Sequence, residues 1–263
     1  MQDKIGTPYP LFGERIRVDV VIPVYNEERD LEGSITRLRR FLLDNVDYDW
    51  RIIVGDNASK DNTLAIAKEL AARYPGQVGY VHLDQKGRGR ALRKAWTESD
   101  ADIVSYMDVD LSTDLSAFPP LIGSLTTGEY DVAIGSRLKS GSQVQRGLKR
   151  EVISRIYNVM IKLMFWNRFS DAQCGFKAVT RRAVREIVPL IKDNAWFFDS
   201  ELLLLAERMG YKIFEVPVKW RDDPDSRVKI ANTAWEDIKG LVRVRFSNVG
   251  RKSPPPQRGG AAG

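Results

Sequence analysis

The feature that most constrains the fold is a regular alternation of short apolar segments and helical segments in the first half of the chain. The apolar segments, rich in Val and Ile, lie at residues 17–24, 51–55, 79–83 and 103–107. Segments with helical periodicity separate them, at residues 31–43, 61–73 and from 91 onward. Strands that alternate with helices of about ten or more residues form crossover units. The pattern therefore predicts an α/β fold with a mainly parallel sheet.

The regular alternation of strands and helices ends after residue 110. Further elements, but no second domain, are predicted there. They are a helix at 115–125, a strand at 131–135 and two amphipathic segments at 150–168 and 235–246. A chain of 263 residues without an internal repeat or linker is consistent with one catalytic domain. We expect that domain at residues 18–230, after an N-terminal extension (1–17) and before an amphipathic helix (231–249) and a disordered tail (250–263).

An Asp-Val-Asp sequence, with Asp108 and Asp110, stands where the fourth apolar segment ends. Two carboxylates one residue apart at a strand end can share a hard cation, and Mg²⁺ or Mn²⁺ prefers oxygen ligands and keeps positions open for substrate phosphates. Open α/β sheets bind their ligands at this end of the strands. Taken alone, the pair is more typical of an acidic turn before a helix, so the interpretation depends on the rest of the chain.

Three other polar loops follow predicted strands, at residues 25–27, 56–57 and 86–90. Each one alone is typical of a helix cap or a turn, but the carboxyl ends of parallel strands share one edge of the sheet. Together the loops therefore favour a nucleotide pocket. The third loop contains Gly87 and Gly89 but lacks the third glycine of a dinucleotide-binding fingerprint, so NAD binding is disfavoured.

The composition of the chain limits where the protein is expected in the cell and what it is expected to bind. The only cysteine, Cys174, excludes an intramolecular disulfide, and the only histidine, His82, lies in an apolar run and is interpreted as a strand residue. No apolar run approaches the ~20 residues that cross a bilayer, and the N-terminus lacks the apolar core of a signal peptide. The net charge of +6 favours anionic partners. We expect a cytoplasmic protein or one at the cytosolic face of a membrane.

The segments 150–168 and 235–246 interleave apolar and basic side chains. This make-up is typical of a helix that lies in a membrane interface, and equally of a core helix with a solvated basic face. Periodicity alone does not choose between the two.

Six blocks of the chain, in order, resemble family 2 glycosyltransferases of the polyprenyl-phosphate sugar synthase branch. They are residues 21–28 (VIPVYNEE), 56–63 (DNASKDNT), 86–89 (KGRG), 108–110 (DVD), 135–137 (GSR) and 171–177 (DAQCGFK). An ordered set of blocks is far more specific than any single block. Within the branch, residues 173–177 and 196–203 are more similar to dolichyl-phosphate glucosyltransferases than to mannosyltransferases.

The resemblance implies a Rossmann-like GT-A fold, a nucleotide-sugar donor, a divalent metal (Mg²⁺ or Mn²⁺) held by Asp108 and Asp110, a polyprenyl phosphate acceptor and inversion at the anomeric carbon. The positions that it assigns to the nucleotide sugar are Pro23, Tyr25, Glu27, Asp56, Lys86, Asp108, Arg227 and Lys229. The last two belong to a loop that would close over the diphosphate and neutralise the departing nucleotide.

The acceptor phosphate is assigned by the same resemblance to Arg137, Arg150 and Ser154. A phosphate monoester is largely ionised near neutral pH, so it requires positive charge more than a strong general base. An arginine fork suits a phosphate bidentately, and Ser154 would share the helical face of Arg150. Asp199 and Glu201 are assigned as catalytic, in sugar positioning or weak base assistance; an acidic first helical turn explains them almost as well.

Three functional hypotheses remain. The first is transfer of a hexose from UDP-glucose to polyprenyl phosphate, with a UDP-N-acetylhexosamine or GDP-mannose donor left open. The second replaces the acceptor by a soluble saccharide, which has no use for Arg137 and Arg150. The third, a nucleic-acid-binding module suggested by the positive charge, leaves the Asp pair without a role, so we expect no nucleic acid partner.

Several relatives carry a transmembrane hairpin or a small membrane domain after the catalytic region, whereas this sequence continues into a polar tail. We therefore expect peripheral membrane contact through surface helices, or recruitment by a membrane partner subunit.

Overall fold

The computed structural model describes residues 15–145, 147–221 and 230–250. The strands are β1 (Arg17–Val24), β2 (Asp49–Asn57), β3 (Val78–Leu83), β4 (Ile103–Met107), β5 (Val132–Ser136), β6 (Gln143–Gln145), β7 (Phe176–Thr180), β8 (Ile213–Pro217) and β9 (Lys219–Arg221). The α-helices are α1 (Leu31–Asn45), α2 (Thr63–Arg73), α3 (Arg88–Glu98), α4 (Phe118–Thr126), α5 (Leu148–Phe165), α6 (Arg181–Ile187), α7 (Phe198–Arg208) and α8 (Ile230–Phe246). Short 3-10 helices, Leu115–Ala117 and Val188–Leu190, precede α4 and follow α6.

Seven strands form the central sheet in the order β3-β2-β1-β4-β7-β5-β8. Neighbours pair in parallel except β7, which runs antiparallel between β4 and β5. The strands β6 and β9 form a small parallel sheet of their own. The predicted α/β fold with a mainly parallel sheet is confirmed, and the reversed strand β7 in its middle is a feature that the sequence pattern did not predict.

Helices cover both faces of the sheet because successive strand residues point to opposite sides. In β1, Val21 packs into the core on the side of α3 and α5–α8, whereas Val20 and Ile22 pack on the side of α1, α2 and α4. In α8, Leu241 and Val244 are buried in the same core as α7. The predicted C-terminal amphipathic helix therefore has a packed inner face.

The boundary of α3 differs from the prediction. A loop was expected through Arg90 and a helix from Ala91, but the helix begins at Arg88. The carbonyl of Gly87 accepts the N–H of Ala91 at 3.0 Å, which closes the first helical turn around Arg88. The early start points the Arg88 side chain into the interior instead of leaving it in a loop.

No helix within the described ranges is long and apolar enough to cross a membrane. The predicted domain boundaries stay predictions. Most of the predicted N-terminal extension and the tail after residue 250 lie outside the described residues.

Candidate active site

The polar loops predicted to converge lie along one edge of the sheet, which we call the carboxyl edge. β1, β2, β3 and β4 are parallel, so the residues that follow Val24, Asn57, Leu83 and Met107 all lie there. β5 ends at the same edge and the antiparallel β7 begins there, because β7 pairs antiparallel with both β4 and β5. Segments far apart in sequence thus meet at one rim.

Asp56, at the end of β2, is fully buried and engages both of its carboxylate oxygens. Oδ2 lies 2.6 Å from Nδ1 of His82, and Oδ1 accepts the N–H of Ser59 at 3.3 Å. His82 is in β3 as predicted, but its side chain joins the site through Asp56. Cross-strand register places the two residues opposite each other, and periodicity along one strand does not show this.

The loop after β1 is joined to the loop after β2 by hydrogen bonds. Asn26, in the left-handed region with φ 56, donates its N–H to Ser59 Oγ, and its own Oδ1 accepts the N–H of Lys60 at 2.8 Å. The N–H of Glu27 donates to Thr63 Oγ1 at 2.8 Å. The backbone of this part of the rim is therefore fixed before any ligand binds.

The remaining residues assigned to the nucleoside lie on the same part of the rim. Lys86 Nζ is 3.5 Å from the centroid of the Tyr25 ring, and Pro23 is paired with Gly55 between β1 and β2. Both Tyr25 and Lys86 are accessible to solvent. The structure thus brings these residues to neighbouring positions on β1, β2 and the loops after β1 and β3: Pro23, Tyr25, Glu27, Asp56 and Lys86.

Asp108 is held from two sides. Its Oδ1 accepts a hydrogen bond from Nη2 of Arg88 at 2.8 Å. Its Oδ2 lies against Gly175, where an added Cβ would be 1.8 Å from that oxygen. Only glycine allows this approach, which explains a glycine in the block that begins at Asp171.

Asp110 lies beyond Asp108 on the exposed side of the loop, and its Oδ1 accepts the N–H of Ser112 at 2.9 Å. Within the described ranges no group of three or more His, Cys, Asp and Glu side chains could hold a metal ion. Two carboxylates offer an incomplete shell of hard oxygen ligands, which suits a divalent cation whose other ligands are substrate phosphates. The pair therefore fits the metal that the sequence implied.

Arg88 connects Asp108 to Asp199 and is only 10% exposed. Its Nη1 donates to Asp199 Oδ2 at 2.5 Å, and Asp199 also accepts from the Tyr106 hydroxyl and lies 3.4 Å from Lys177 Nζ. Burial alone would raise the pKa of Asp199, but Lys177, Arg88 and the Tyr106 hydroxyl outweigh it and hold the pKa below its usual range. An ionised, fully engaged carboxylate suits positioning better than proton abstraction.

Glu201 has no described contact with Asp108. It is buried, and its Oε2 accepts from the N–H of Asp193 at 2.8 Å and from Nη2 of Arg243 at 2.8 Å. These contacts tie α7 to α8 and to the loop before α7. A catalytic role for Glu201 stays a prediction, and its described contacts are those of a residue that joins elements.

Arg137 follows β5 at the carboxyl edge and pairs with the buried Asp171. Nε contacts Oδ2 at 2.8 Å and Nη2 contacts Oδ1 at 2.9 Å. Burial would raise the pKa of Asp171, but Arg137 outweighs it and holds the pKa below its usual value. The Nε and Nη2 edge of Arg137, which was expected to bind the acceptor phosphate, is thus occupied by Asp171. An acceptor phosphate would meet the remaining N–H groups of the guanidinium.

Ser154 of α5 is buried, and its Oγ makes no hydrogen bond to any described residue. Arg150 belongs to the same helix, but its side chain lies outside the described residues, as do Arg227 and Lys229 entirely. Sequence reasoning missed Arg88, His82 and Lys177 as members of this site. The sequence held a signal for two of them, because Arg88 lies within the block 86–89 and Lys177 within the block 171–177.

Comparison with known proteins finds a family that the chain matches. The model of the family "Glycosyl transferase family 2" matches residues 19–188. Glycosyltransferase AglD of Haloferax volcanii is 36% identical over 228 residues, which are 86% of this chain and 36% of AglD. Dolichyl-phosphate beta-glucosyltransferase ALG5C of Trichomonas vaginalis is 30% identical over 241 residues, covering 88% of this chain and 71% of that protein. The chain thus spans about a third of the length of AglD.

A solved structure shares the fold. Glucosyl-3-phosphoglycerate synthase from Mycobacterium tuberculosis, in complex with Mn²⁺ and UDP-glucose, has a TM-score of 0.64 and 20% sequence identity, covering 88% of this chain and 79% of that one. The resemblance inferred from the six blocks is confirmed by the family match and by the relatives. The chain belongs to glycosyl transferase family 2 and has its GT-A fold.

Proposed function

We propose that the protein transfers a hexose, most simply glucose from UDP-glucose, to a polyprenyl phosphate with inversion at the anomeric carbon. The observation that carries this proposal is the placement of Asp108 and Asp110 at the same edge as Arg137. A carboxylate pair suited to a metal diphosphate and a cation suited to an acceptor phosphate then follow β4 and β5, the two strands on either side of β7. The names of the relatives, dolichyl-phosphate beta-glucosyltransferases, support the same transferred sugar and the same acceptor class.

The donor side requires a divalent cation, Mg²⁺ or Mn²⁺, which Asp108 and Asp110 would hold and which would stabilise the negative charge of the diphosphate as it leaves. Arg88 holds Asp108 through one hydrogen bond, and Asp199 holds Arg88 through another. Tyr25 and Lys86 would contact the nucleoside, next to the fixed carboxylate of Asp56. Arg227 and Lys229 stay proposed lid residues.

The acceptor side requires no strong general base, since a phosphate monoester already carries a reactive anionic oxygen. This agrees with the lowered pKa of Asp199, which makes that carboxylate a poor proton acceptor. Arg137, fixed by Asp171, would attract the phosphate, and Ser154 offers a hydroxyl that has no partner among the described residues. A neutral saccharide acceptor would leave this arrangement unused.

A lipid acceptor also requires contact with a membrane, and two neighbouring helices expose apolar side chains that suit it. We call these the apolar rows: Val152, Ile156, Val159, Leu163 and Trp166 at α5, and Trp235, Ile238, Val242 and Phe246 on α8. The side chain of Trp166 is 86% exposed. Arg155, Lys162 and Lys239 lie among the rows and would favour an anionic leaflet such as the cytosolic one.

The decisive experiment is transfer of radiolabelled sugar to a short polyprenyl phosphate from UDP-glucose, UDP-N-acetylglucosamine, UDP-N-acetylgalactosamine or GDP-mannose, with Mn²⁺ or with EDTA. We expect a lipid-linked product from UDP-glucose that EDTA abolishes. Product from another donor would keep the reaction and change the sugar. Donor hydrolysis without a lipid product would favour the saccharide acceptor instead.

A further inference from the structure

Gln173 lies between the two ends of the proposed reaction. Two residues before it, Asp171 holds Arg137, the cation proposed for the acceptor phosphate. Two residues after it, Gly175 lies directly against the carboxylate of Asp108. The segment that carries Gln173 therefore spans the gap between the metal carboxylate and the acceptor arginine.

The amide of Gln173 is oriented by a buried carboxylate. Its Nε2 donates to Oδ2 of Asp237 on α8 at 2.9 Å, and its backbone N–H donates to Asp171 Oδ1 at 3.2 Å. Asp237 is only 2% exposed, whereas Gln173 is partly accessible. An amide has one acceptor oxygen and two N–H groups, so one bond to Asp237 leaves donor and acceptor capacity for a ligand.

We propose that Gln173, positioned by Asp237, reads hydroxyl groups of the transferred sugar and so contributes to donor specificity. This inference rests on the proposed function. In the proposed reaction the anomeric carbon is bonded to the diphosphate at Asp108 and is attacked by the phosphate at Arg137. The sugar ring would then lie beside residues 171–175, the segment that carries Gln173. A site that hydrogen-bonds a substrate hydroxyl discriminates strongly against analogues that lack it.

The surroundings of Asp237 set the pH at which its carboxyl group ionises. Burial first, and then the negative charges of Asp193 and Asp199, raise the pKa of Asp237 to about 7, while the bond from Gln173 lowers it. Tyr157 of α5 also lies near the group, since burial first and then the Asp237 charge raise the pKa of its hydroxyl. Oδ1 has no hydrogen-bond partner among the described residues. Asp237 therefore changes charge near neutral pH, and its ionised form accepts more strongly from Gln173.

The test compares binding of UDP-glucose with binding of UDP, both with Mn²⁺, by calorimetry. We expect Gln173→Ala to weaken UDP-glucose about tenfold and to leave UDP unchanged, because only the sugar meets the amide. Asp237→Asn should weaken UDP-glucose about threefold above the Asp237 pKa and have little effect below it, where the native group is already protonated. Glu236→Gln, the same change at the neighbouring exposed position, should have no effect.

Analogues of UDP-glucose that each lack one hydroxyl identify the group that is read. In the native protein one analogue should bind about tenfold more weakly than UDP-glucose, and this penalty should vanish in Gln173→Ala. An unchanged ratio of UDP-glucose to UDP affinity in both variants, or loss of UDP binding itself in a folded variant, would overturn the inference and leave the proposed function standing. If another sugar nucleotide is the donor, the same comparison is made between that sugar nucleotide and its free nucleotide, in place of UDP-glucose and UDP. Failure of the native protein to bind any of them would refute both proposals.

Discussion

The two carboxylates of the proposed metal pair differ in their surroundings. Asp108 is fixed by Arg88 and Gly175, whereas Asp110 is exposed. A role for Asp110 in catalysis can therefore be tested with little disturbance of the fold.

We expect Asp110→Asn to lower the rate of sugar transfer by about a hundredfold or more, because a weaker oxygen ligand replaces a carboxylate on the metal. Thermal unfolding should show a change in stability within about 0.5 kcal/mol, as for other exposed substitutions. The matched control is Asp47→Asn, whose side chain is 93% exposed and pairs only with Arg15 among the described contacts. Equal activity of the two variants would remove Asp110 from the site.

Gly175 allows a second test at the residue scale, because the effect of replacing it depends on its close contact with the Asp108 carboxylate. We expect Gly175→Ala to displace the Asp108 carboxylate and to lower Mn²⁺-dependent binding of UDP at least tenfold, since the new Cβ would meet Oδ2 at 1.8 Å. Gly33→Ala in α1, where nothing lies within 4 Å of an added Cβ, should be neutral or stabilise the helix. Normal UDP binding by Gly175→Ala would show that Asp108 is not held as described.

At the scale of elements, α5 carries Ser154, a proposed contact of the acceptor phosphate, and one of the two apolar rows. Ser154 lies on its buried face, and Ile156 and Leu163 lie on its exposed face at 62% and 74%. The helix ends where Trp166 adopts the left-handed region, with φ 59. One helix would thus present its apolar row to the membrane and its inner face to the phosphate.

We expect the double variant Ile156→Ser, Leu163→Ser to bind anionic vesicles at least tenfold more weakly, because both exposed apolar side chains no longer enter the membrane interface. Transfer to a short acceptor in detergent should be retained, since these side chains lie outside the core. Leu43→Ser, an exposed apolar position on α1 on the other face of the sheet, is the control. Vesicle sedimentation of the double variant equal to that of the native protein would contradict membrane contact through this row.

At the scale of the whole molecule, the buried carboxyl of Asp237 links pH to stability. Its pKa is raised from 3.8 to about 7 in the fold, so between these values the folded protein holds a proton that the unfolded chain has released. The free energy of unfolding should therefore fall as pH rises through this window, and the loss should be complete above the folded pKa.

We expect Asp237→Asn to remove part of this decline and to be more stable than the native protein above pH 7, by a few kcal/mol at most. Chemical denaturation at several pH values measures the effect, with Glu236→Gln as the reference variant. A native stability that rises across the same window, with no difference in Asp237→Asn, would show that the group is ionised in the fold.

Much of this architecture could be predicted from the sequence, because the type of an element depends on local periodicity. The alternation of strands and helices predicted the parallel sheet, and polar residues after the strands predicted an edge with nucleotide-binding character. The ordered blocks predicted the family. The start of α3 at Arg88 was missed because its first turn is also held by the distant loop before α7, whose Asn194 and Ala195 carbonyls accept the N–H groups of Arg90 and Gly89.

Only the tertiary structure decided which side chains meet. Arg88 and Asp199 are 111 residues apart in sequence, and their contact depends on where α7 packs against α3. His82 meets Asp56 through the register of two strands, and β7 brings Gly175 to Asp108 because it runs antiparallel beside β4. The sequence by itself determined the alternating strands and helices of the first half of the chain and the chemical type of their ends, since these depend on neighbouring residues. Strand order and register join residues that are distant along the chain, so the contacts within the site arise only in the packed fold.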